Sequence, residues 1–300
     1  MCLDESVAAK EATPPTSRAG HRGALYSSPP GACPLPDTKN LGRLRHGGPA
    51  LRRVPPGVTH PRSVPTMKAN MLTPLVLLPG LLCDARLWRD VVLPLRDTVA
   101  PMVADLTLDD SVAAMASRTL AAAPPRFALA GLSMGGYVAL EVMRQAPDRV
   151  TRLALFDTSA RPDTDERREA RRKGIENVKV GKFIGVSRSL LPSLLAKRNL
   201  ETPLAEEVQA MAERCGQETY IRQQQAILGR VDSRPDLAGI KVPTLIGVGT
   251  EDALTPPELA EEMAAAIPHA DITRFAGSGH LPTMENPRAV ADALGNWLAR

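Results

Sequence analysis

Residues 127–137 have the sequence FALAGLSMGGY, in which a short apolar run leads directly into a segment with a helical pattern, and a serine stands at the junction. This pattern predicts a buried strand that turns sharply into a helix. A serine at such a turn must adopt a strained backbone, and Gly131 and Gly135 remove side chains that would collide there. The turn would lift the Ser133 hydroxyl above the sheet and place the Met134 N–H at the start of the helix, where it can donate to a developing oxyanion. Ordinary glycine-rich turns also carry this pattern, so its meaning depends on the rest of the chain.

The chain on either side of this turn alternates short apolar runs with amphipathic segments, which is typical of a parallel sheet whose strands are joined by helices. Strands are predicted at Leu75–Leu78, Val99–Ala104, Phe127–Gly131, Leu153–Phe156, Thr244–Val248 and Asp271–Phe275. Helices are predicted at Arg86–Leu95, Ser111–Ala123, Gly135–Gln145, Glu258–Ala266 and Pro287–Leu298. The sequence therefore predicts the α/β fold class, as a doubly wound, mostly parallel sheet of about six strands with helices on both faces.

Two regions depart from this alternation. Residues 161–241 contain helical stretches and no convincing strand, so we predict a helical cap inserted into a core formed by residues 71–160 and 242–300. Such a cap would lie over the carboxyl ends of the strands, where α/β sheets bind ligands. Residues 1–70 are rich in proline and arginine without a sustained period, which predicts a disordered N-terminal extension. The alternative is a natural start at Met67 or Met71.

Composition and charge exclude several classes of function. The net charge is +4, but the positive excess lies within residues 1–66, and only 3% of residues are aromatic, so a nucleic-acid surface is not supported. No apolar run is long enough to span a membrane. The four cysteines lack metal-ligand spacing and are interpreted as reduced thiols of a cytoplasmic protein: Cys2, Cys33, Cys83 and Cys215. The sequence thus predicts neither metal nor cofactor, and oligomeric state stays open.

Two further motifs follow the serine turn in order. Residues 244–256, TLIGVGTEDALTP, place Asp252 just after a predicted strand, and residues 276–287, AGSGHLPTMENP, place His280 just after the last predicted strand. With the serine turn, they resemble the α/β-hydrolase family over essentially all of residues 72–300. The resemblance implies a Ser-His-Asp triad with Ser133 as nucleophile, His280 as general base and Asp252 as the carboxylate that orients the histidine.

The chemistry of the three side chains agrees with this assignment. Serine is a poor nucleophile until a base takes its proton, and histidine does so near neutral pH. His280 has no rival for the role, because His269 is interpreted as a surface turn residue and the other histidines lie in the extension: His21, His46 and His60. The acid has one rival, Asp157, because some members of the family carry the carboxylate after that strand. Asp252 is the first choice.

The second oxyanion donor is predicted in residues 77–83, LLPGLLC. The family commonly has His-Gly after its first parallel strand, and here Pro79 replaces the histidine. A backbone donor does not depend on that side chain, so we expect the Leu81 N–H to complete the oxyanion hole together with the Met134 N–H. Leu82 is the second choice for this role. Cys83 is interpreted as a buried thiol beside the pocket, since no separate histidine would activate it.

The resemblance implies hydrolysis of a carboxylic ester or thioester of a small molecule through an acyl-enzyme. Carbon–carbon bond hydrolysis, acyl transfer, lyase chemistry and non-catalytic binding remain alternatives on the same fold. The apolar stretch Phe183–Leu195 is expected to line the pocket or form cap core. A basic run in the cap is interpreted as a solvated helix face balanced by nearby acids, with recognition of a substrate carboxylate as the alternative; its members are Arg161, Arg167, Arg168, Arg171, Arg172, Lys173, Lys179 and Lys182.

Overall fold

The computed structural model describes residues 72–181 and 183–300. The predicted extension, residues 1–70, and Lys182 lie outside the described residues. Six strands form one sheet: β1 (Thr73–Leu78), β2 (Val99–Val103), β3 (Phe127–Leu132), β4 (Val150–Phe156), β5 (Thr244–Gly249) and β6 (Ala270–Phe275). All neighbours are parallel, in the order β2-β1-β3-β4-β5-β6. The predicted fold class is confirmed.

Nine α-helices join or follow these strands in the described part of the chain. They are α1 (Arg86–Val92), α2 (Val112–Ala122), α3 (Met134–Gln145), α4 (Asp165–Val180), α5 (Leu191–Leu194), α6 (Pro203–Leu228), α7 (Pro257–Ala266), α8 (Pro282–Glu285) and α9 (Pro287–Leu298). The segment predicted as one helix at 86–95 ends as a short 3₁₀ turn, Leu93–Leu95. Pro94 explains the difference, because it has no N–H to continue an α-helical ladder.

The two faces of the sheet pack against different helices, because successive side chains of a strand point to opposite faces. In β1, Leu75 and Leu77 join an apolar cluster with α1 and α9, including Trp88 and Trp297. Val76 and Leu78 join a second cluster with side chains from α2, α3 and α7. Both faces of β1 and β3 are therefore buried, which accounts for their uninterrupted apolar sequences.

Residues 161–241 contain α4, α5, α6 and two 3₁₀ turns, and no strand among those described. The long helix α6 breaks at Gly216, where φ is 78° and ψ is 175°, a conformation open to glycine alone at little cost. Apolar side chains of α6 join both clusters of the core. The helical content agrees with the predicted cap, while its division from a core of residues 71–160 and 242–300 stays a prediction. No helix in the described ranges is long and apolar enough to cross a membrane.

Candidate active site

Ser133 lies at the sharp corner between β3 and α3, with φ 56° and ψ −117°. The corner is too tight for side chains on its flanks: a Cβ on Gly131 would lie 2.3 Å from the Gly135 carbonyl oxygen, and one on Gly135 would lie 2.1 Å from that of Leu78. The strained turn is held by the Ser133 N–H, which donates to the Phe156 carbonyl at 2.9 Å. Strand packing thus holds the serine in a conformation that an isolated chain would avoid.

Residues with strained backbone conformations lie at the carboxyl ends of the central strands. Among the described residues, four other than glycine have positive φ: Leu82, Ser133, Asp157 and His269. The first three follow β1, β3 and β4, which are neighbours in the sheet. His269 is an exposed turn residue before β6, as predicted. Strained conformations persist only where the surrounding fold maintains them, and they are concentrated at functional sites.

His280 lies between Ser133 and Asp252. Its Nε2 is 2.9 Å from the Ser133 Oγ, and its Nδ1 is 2.9 Å from the Asp252 Oδ2. The histidine and the aspartate are almost fully buried, while Ser133 is half-buried. The three predicted side chains, which are far apart in the chain, therefore form one hydrogen-bonded series. Such a series can move a proton from the hydroxyl to the imidazole while the carboxylate stabilises the resulting charge.

Asp252 accepts hydrogen bonds that favour its ionised form. Its Oδ1 accepts from the N–H groups of Leu254 at 2.8 Å and Thr255 at 3.0 Å, and its Oδ2 accepts from the Thr255 hydroxyl at 2.6 Å. Burial pushes the pKa of Asp252 upward, but His280 and the Thr255 donors outweigh it and hold this pKa below its usual value. Asp252 is therefore an anion beside His280. Sequence reasoning missed Thr255, although its place three residues after the aspartate is typical of such a turn.

Asp157, the rival acid, lies close to the pair but in a different state. Its Oδ1 accepts from the Gly249 N–H at 2.8 Å, whereas its Oδ2 is buried without a partner among the described residues. Burial, and next the negative charge of Asp252, raise the pKa of Asp157 well above its usual value. Asp157 is thus shifted toward its neutral form, whereas Asp252 is shifted toward its anion. In this arrangement His280 bonds to Asp252 and not to Asp157.

Neighbouring backbone N–H groups in the loop after β1 differ in whether they have an acceptor. The Leu82 N–H donates to the Gln223 Oε1 at 2.9 Å, so it is not available to a substrate. The N–H groups of Leu81 and Met134 donate to no acceptor within the described ranges. These are the two groups predicted for the oxyanion hole. Sequence reasoning missed Gln223, which is 141 residues from Leu82, and no local signal marks it.

Glu285 ties the histidine loop to residues 194–199. Its Oε1 accepts from the Gly279 N–H at 2.7 Å, and its Oε2 accepts from the Ala196 N–H and the Asn199 side chain, each at 2.8 Å. The His280 N–H donates to the Leu194 carbonyl at 3.0 Å. These hydrogen bonds fix the backbone at His280 and thereby orient its ring. Sequence reasoning did not assign this role to Glu285. Its position within the histidine motif, residues 276–287, was the signal that could have identified it.

Ser133 and His280 open into a cavity of about 450 Å³. Its walls are mostly apolar, with residues from the loop after β1, from α4, from the segment 185–194 and from α6. Cys83 lies in this wall as a buried thiol, as predicted, and burial raises its pKa far above the usual value. Such a thiol is a poor nucleophile because its thiolate is scarce. The size and lining suit a small organic ligand.

The chain is similar to known proteins in sequence and in fold. A family model described as the alpha/beta hydrolase family matches residues 75–293. The pimeloyl-[acyl-carrier protein] methyl ester esterase of Neisseria meningitidis H44/76 is 29% identical over 169 residues, which are 54% of this chain and 64% of that protein. A putative carbamate hydrolase, RutD, of Caulobacter vibrioides NA1000 is 28% identical over 210 residues, 69% of this chain and 74% of the relative.

Solved structures are similar over a larger share of their own length. A malate-bound thermophilic esterase from Thermogutta terrifontis is 31% identical with a TM-score of 0.69, covering 76% of this chain and 89% of that one. The enol-lactonase from Burkholderia xenovorans LB400 is 23% identical with a TM-score of 0.64, covering 77% and 92%, which supports the fold alone. The alignment to the first curated relative, by contrast, spans less than two thirds of that relative's length.

Proposed function

This chain belongs to the α/β hydrolase family, and we propose that it acts as a serine hydrolase that cleaves a carboxylic ester or thioester of a small molecule through an acyl-enzyme. The observation that carries the proposal is the hydrogen-bonded series from Ser133 through His280 to the ionised Asp252, at the floor of an apolar cavity. The similarity to proteins named as esterases agrees with this reaction class.

The proposed reaction begins when His280 Nε2 removes the proton from the Ser133 hydroxyl as its oxygen attacks the ester carbonyl. The imidazole becomes positively charged, and the anionic Asp252 stabilises it through Nδ1. The imidazolium then gives its proton to the departing alkoxide or thiolate, which leaves an acyl group on Ser133. His280 next activates a water, whose attack releases the acid and regenerates the serine.

We propose that the Leu81 and Met134 N–H groups hold the oxyanion of each tetrahedral intermediate. Both groups have no protein acceptor in the described part of the chain. The Met134 N–H belongs to the first residue of α3, where unpaired donors and the helix dipole favour negative charge. Donors that are already in position stabilise developing charge without reorganisation, which is a large contribution to acyl transfer.

The proposal is tested by the pre-steady-state hydrolysis of p-nitrophenyl esters of short and medium chain acids. We expect a burst of p-nitrophenol equal to the concentration of active sites, followed by slower turnover, because formation and breakdown of an acyl-enzyme are separate steps. A fluorophosphonate probe should label the protein once. Purified protein that neither turns over these esters nor reacts with the probe would contradict the proposed function.

Gln223 is expected to act as a positioning residue for the oxyanion loop. It is fully buried, accepts from the Leu82 N–H at 2.9 Å and donates through Nε2 to the Leu106 carbonyl at 3.0 Å. Gln223→Leu leaves the Leu82 N–H without a partner, so the loop loses the bond that supports its positive φ. We expect kcat to fall by about 10-fold to 100-fold, less than the loss of an oxyanion donor itself, while KM changes little.

The matched control is Gln225→Leu, which alters an exposed glutamine of the same helix. Gln223→Glu keeps an acceptor for the Leu82 N–H and should recover part of kcat. If the role of Gln223 were purely structural, its replacement would lower the melting temperature without a selective effect on kcat. A folded Gln223→Leu protein with wild-type kcat would refute the positioning role.

We also propose a cytoplasmic location. Cys83 and Cys215 are free thiols in the described part of the chain, and free thiols agree with a reducing compartment.

A further inference from the structure

The cavity above Ser133 carries charge of one sign on its wall. Arg167 and Arg171 lie four residues apart on α4, so they share one face of that helix, and both line the cavity. The cavity lining contains no aspartate or glutamate among the described residues. A mostly apolar cavity with two guanidinium groups on its wall favours a ligand that carries negative charge.

Most of the other positively charged residues of α4 pair with glutamates on the side of the helix that faces solvent. Arg172 and Lys173 lie 3.8 Å and 3.7 Å from Glu169, and Lys179 lies 2.8 Å from Glu176. These side chains are exposed and agree with the solvated face predicted from the sequence. They contribute little, because exposed ion pairs are weak.

Arg167 has no such partner. Its side chain donates to the Leu254 carbonyl at 3.0 Å and forms no ion pair with any residue of the described ranges. Leu254 also lines the cavity and follows Asp252 by two residues, which brings the guanidinium of Arg167 to the side of the cavity that holds the acid. The Arg167 charge is therefore uncompensated at the cavity wall.

Arg171 belongs to a buried cluster with excess positive charge. Asp163 is buried, and it pairs with Arg171 at 2.6 Å and with Arg230 at 2.9 Å. Burial pushes the pKa of Asp163 upward, but the bonds from the two arginines outweigh it and hold the carboxyl ionised. One carboxylate thus faces two guanidinium groups. An additional anion would complete the charge balance in a region that is poor in solvent.

The position of the Arg171 side chain is fixed by its partners. Its Nε donates to Asp163, and its Nη1 donates to the Gln224 Oε1 at 2.7 Å. Its Nη2 donates to no acceptor in the described part of the chain. Fixed donors on a guanidinium bind carboxylates strongly, because little rotational freedom is lost on binding.

We propose that the cavity binds esters that carry a second, free carboxylate, such as the monoesters of dicarboxylic acids. The ester carbonyl would lie at Ser133, the methylene chain against apolar wall residues such as Leu194, and the carboxylate at Arg167 and Arg171. This inference rests on the proposed function and specifies its substrate class. Charge-assisted hydrogen bonds from the two guanidinium groups provide the selectivity over neutral esters of equal length.

The test compares two esters with the same leaving group and chain length. Mono-p-nitrophenyl adipate carries a free carboxylate, and p-nitrophenyl hexanoate does not. We expect the wild-type kcat/KM to be higher for the adipate once spontaneous hydrolysis has been subtracted. Arg167→Gln is expected to lower the ratio of the two kcat/KM values by about 10-fold or more, since a hydrogen bond to a charged group has that effect.

Arg172→Gln is the matched control, because Arg172 lies on the same helix and outside the cavity lining. The control should leave the ratio at its wild-type value. Arg171→Gln should also lower the ratio, with its melting temperature measured because it disturbs the buried pair with Asp163.

The outcomes separate the two proposals. If neither ester is turned over and the fluorophosphonate probe does not react, the proposed function fails. If hexanoate is hydrolysed with a burst, but the adipate is not preferred, the carboxylate site is refuted while the hydrolase remains. A preference for adipate that survives both Arg167→Gln and Arg171→Gln would refute the assignment to these arginines.

Discussion

Replacement of Ser133 by alanine is expected to lower kcat for p-nitrophenyl ester hydrolysis by about 10⁶-fold, as the loss of a serine nucleophile does in a comparable triad. The substitution removes the only oxygen within hydrogen-bond distance of His280 Nε2 in the described part of the chain. The burst of p-nitrophenol should disappear with the steady-state rate, because no acyl-enzyme is formed. Labelling by a fluorophosphonate, followed by intact mass, should also be lost.

The fold should survive this change. Alanine at position 133 meets the same backbone strain as serine, and the N–H and carbonyl of this residue keep their bonds to Phe156 and Thr158. Ser117→Ala, at an exposed serine of α2, is the matched control and should retain both rate and labelling. A Ser133→Ala protein that still gives a burst would show that another residue carries the acyl group.

Asp252→Asn is expected to lower kcat by about 10⁴-fold, because an amide at this position favours the wrong tautomer of the histidine and does not stabilise its charged form. Asp157→Asn is expected to have a far smaller effect. Asp157 is already shifted toward its neutral form, and an asparagine still offers an oxygen to the Gly249 N–H and a donor at the second position. The comparison of the two variants under the same conditions measures which carboxyl group serves His280.

Each of these variants is the control for the other, since both replace a buried acid by its amide. Melting temperatures should be recorded for both, because the bonds from Thr255 and Leu254 to Asp252 also support the loop after β5. If Asp157→Asn were the variant that lost about four orders of magnitude, the acid would have to be reassigned to the strand before the cap.

The sequence already contained what the fold class required. The central strands β3 and β5 are short, largely apolar runs in which every residue is buried, so their composition distinguishes them from the amphipathic helices that follow them. The serine turn could be located because glycines are required where β3 and α3 pass closely. Histidine could be selected because only one histidine follows the last strand in the expected motif.

The tertiary structure decided the questions that depend on distance across the fold. Leu81 and Leu82 are equivalent in sequence, and only the packing of α6 brings Gln223 to occupy the Leu82 N–H. Asp157 and Asp252 both follow a strand, and burial beside one another lets only one of them ionise readily.

The basic residues of the cap also show that the environment of a side chain depends on the tertiary structure. Sequence spacing places Arg167, Arg171 and Arg172 on one helix, but the faces of that helix are distinguished only by what packs against them. The structure separates two arginines that line the cavity from one that faces solvent beside Glu169. Local patterns determined which elements and residue types this chain contains, because they reflect the preferences of neighbouring residues. The partners of individual donors, acids and cations were decided by contacts between residues distant in sequence, which only the packed fold defines.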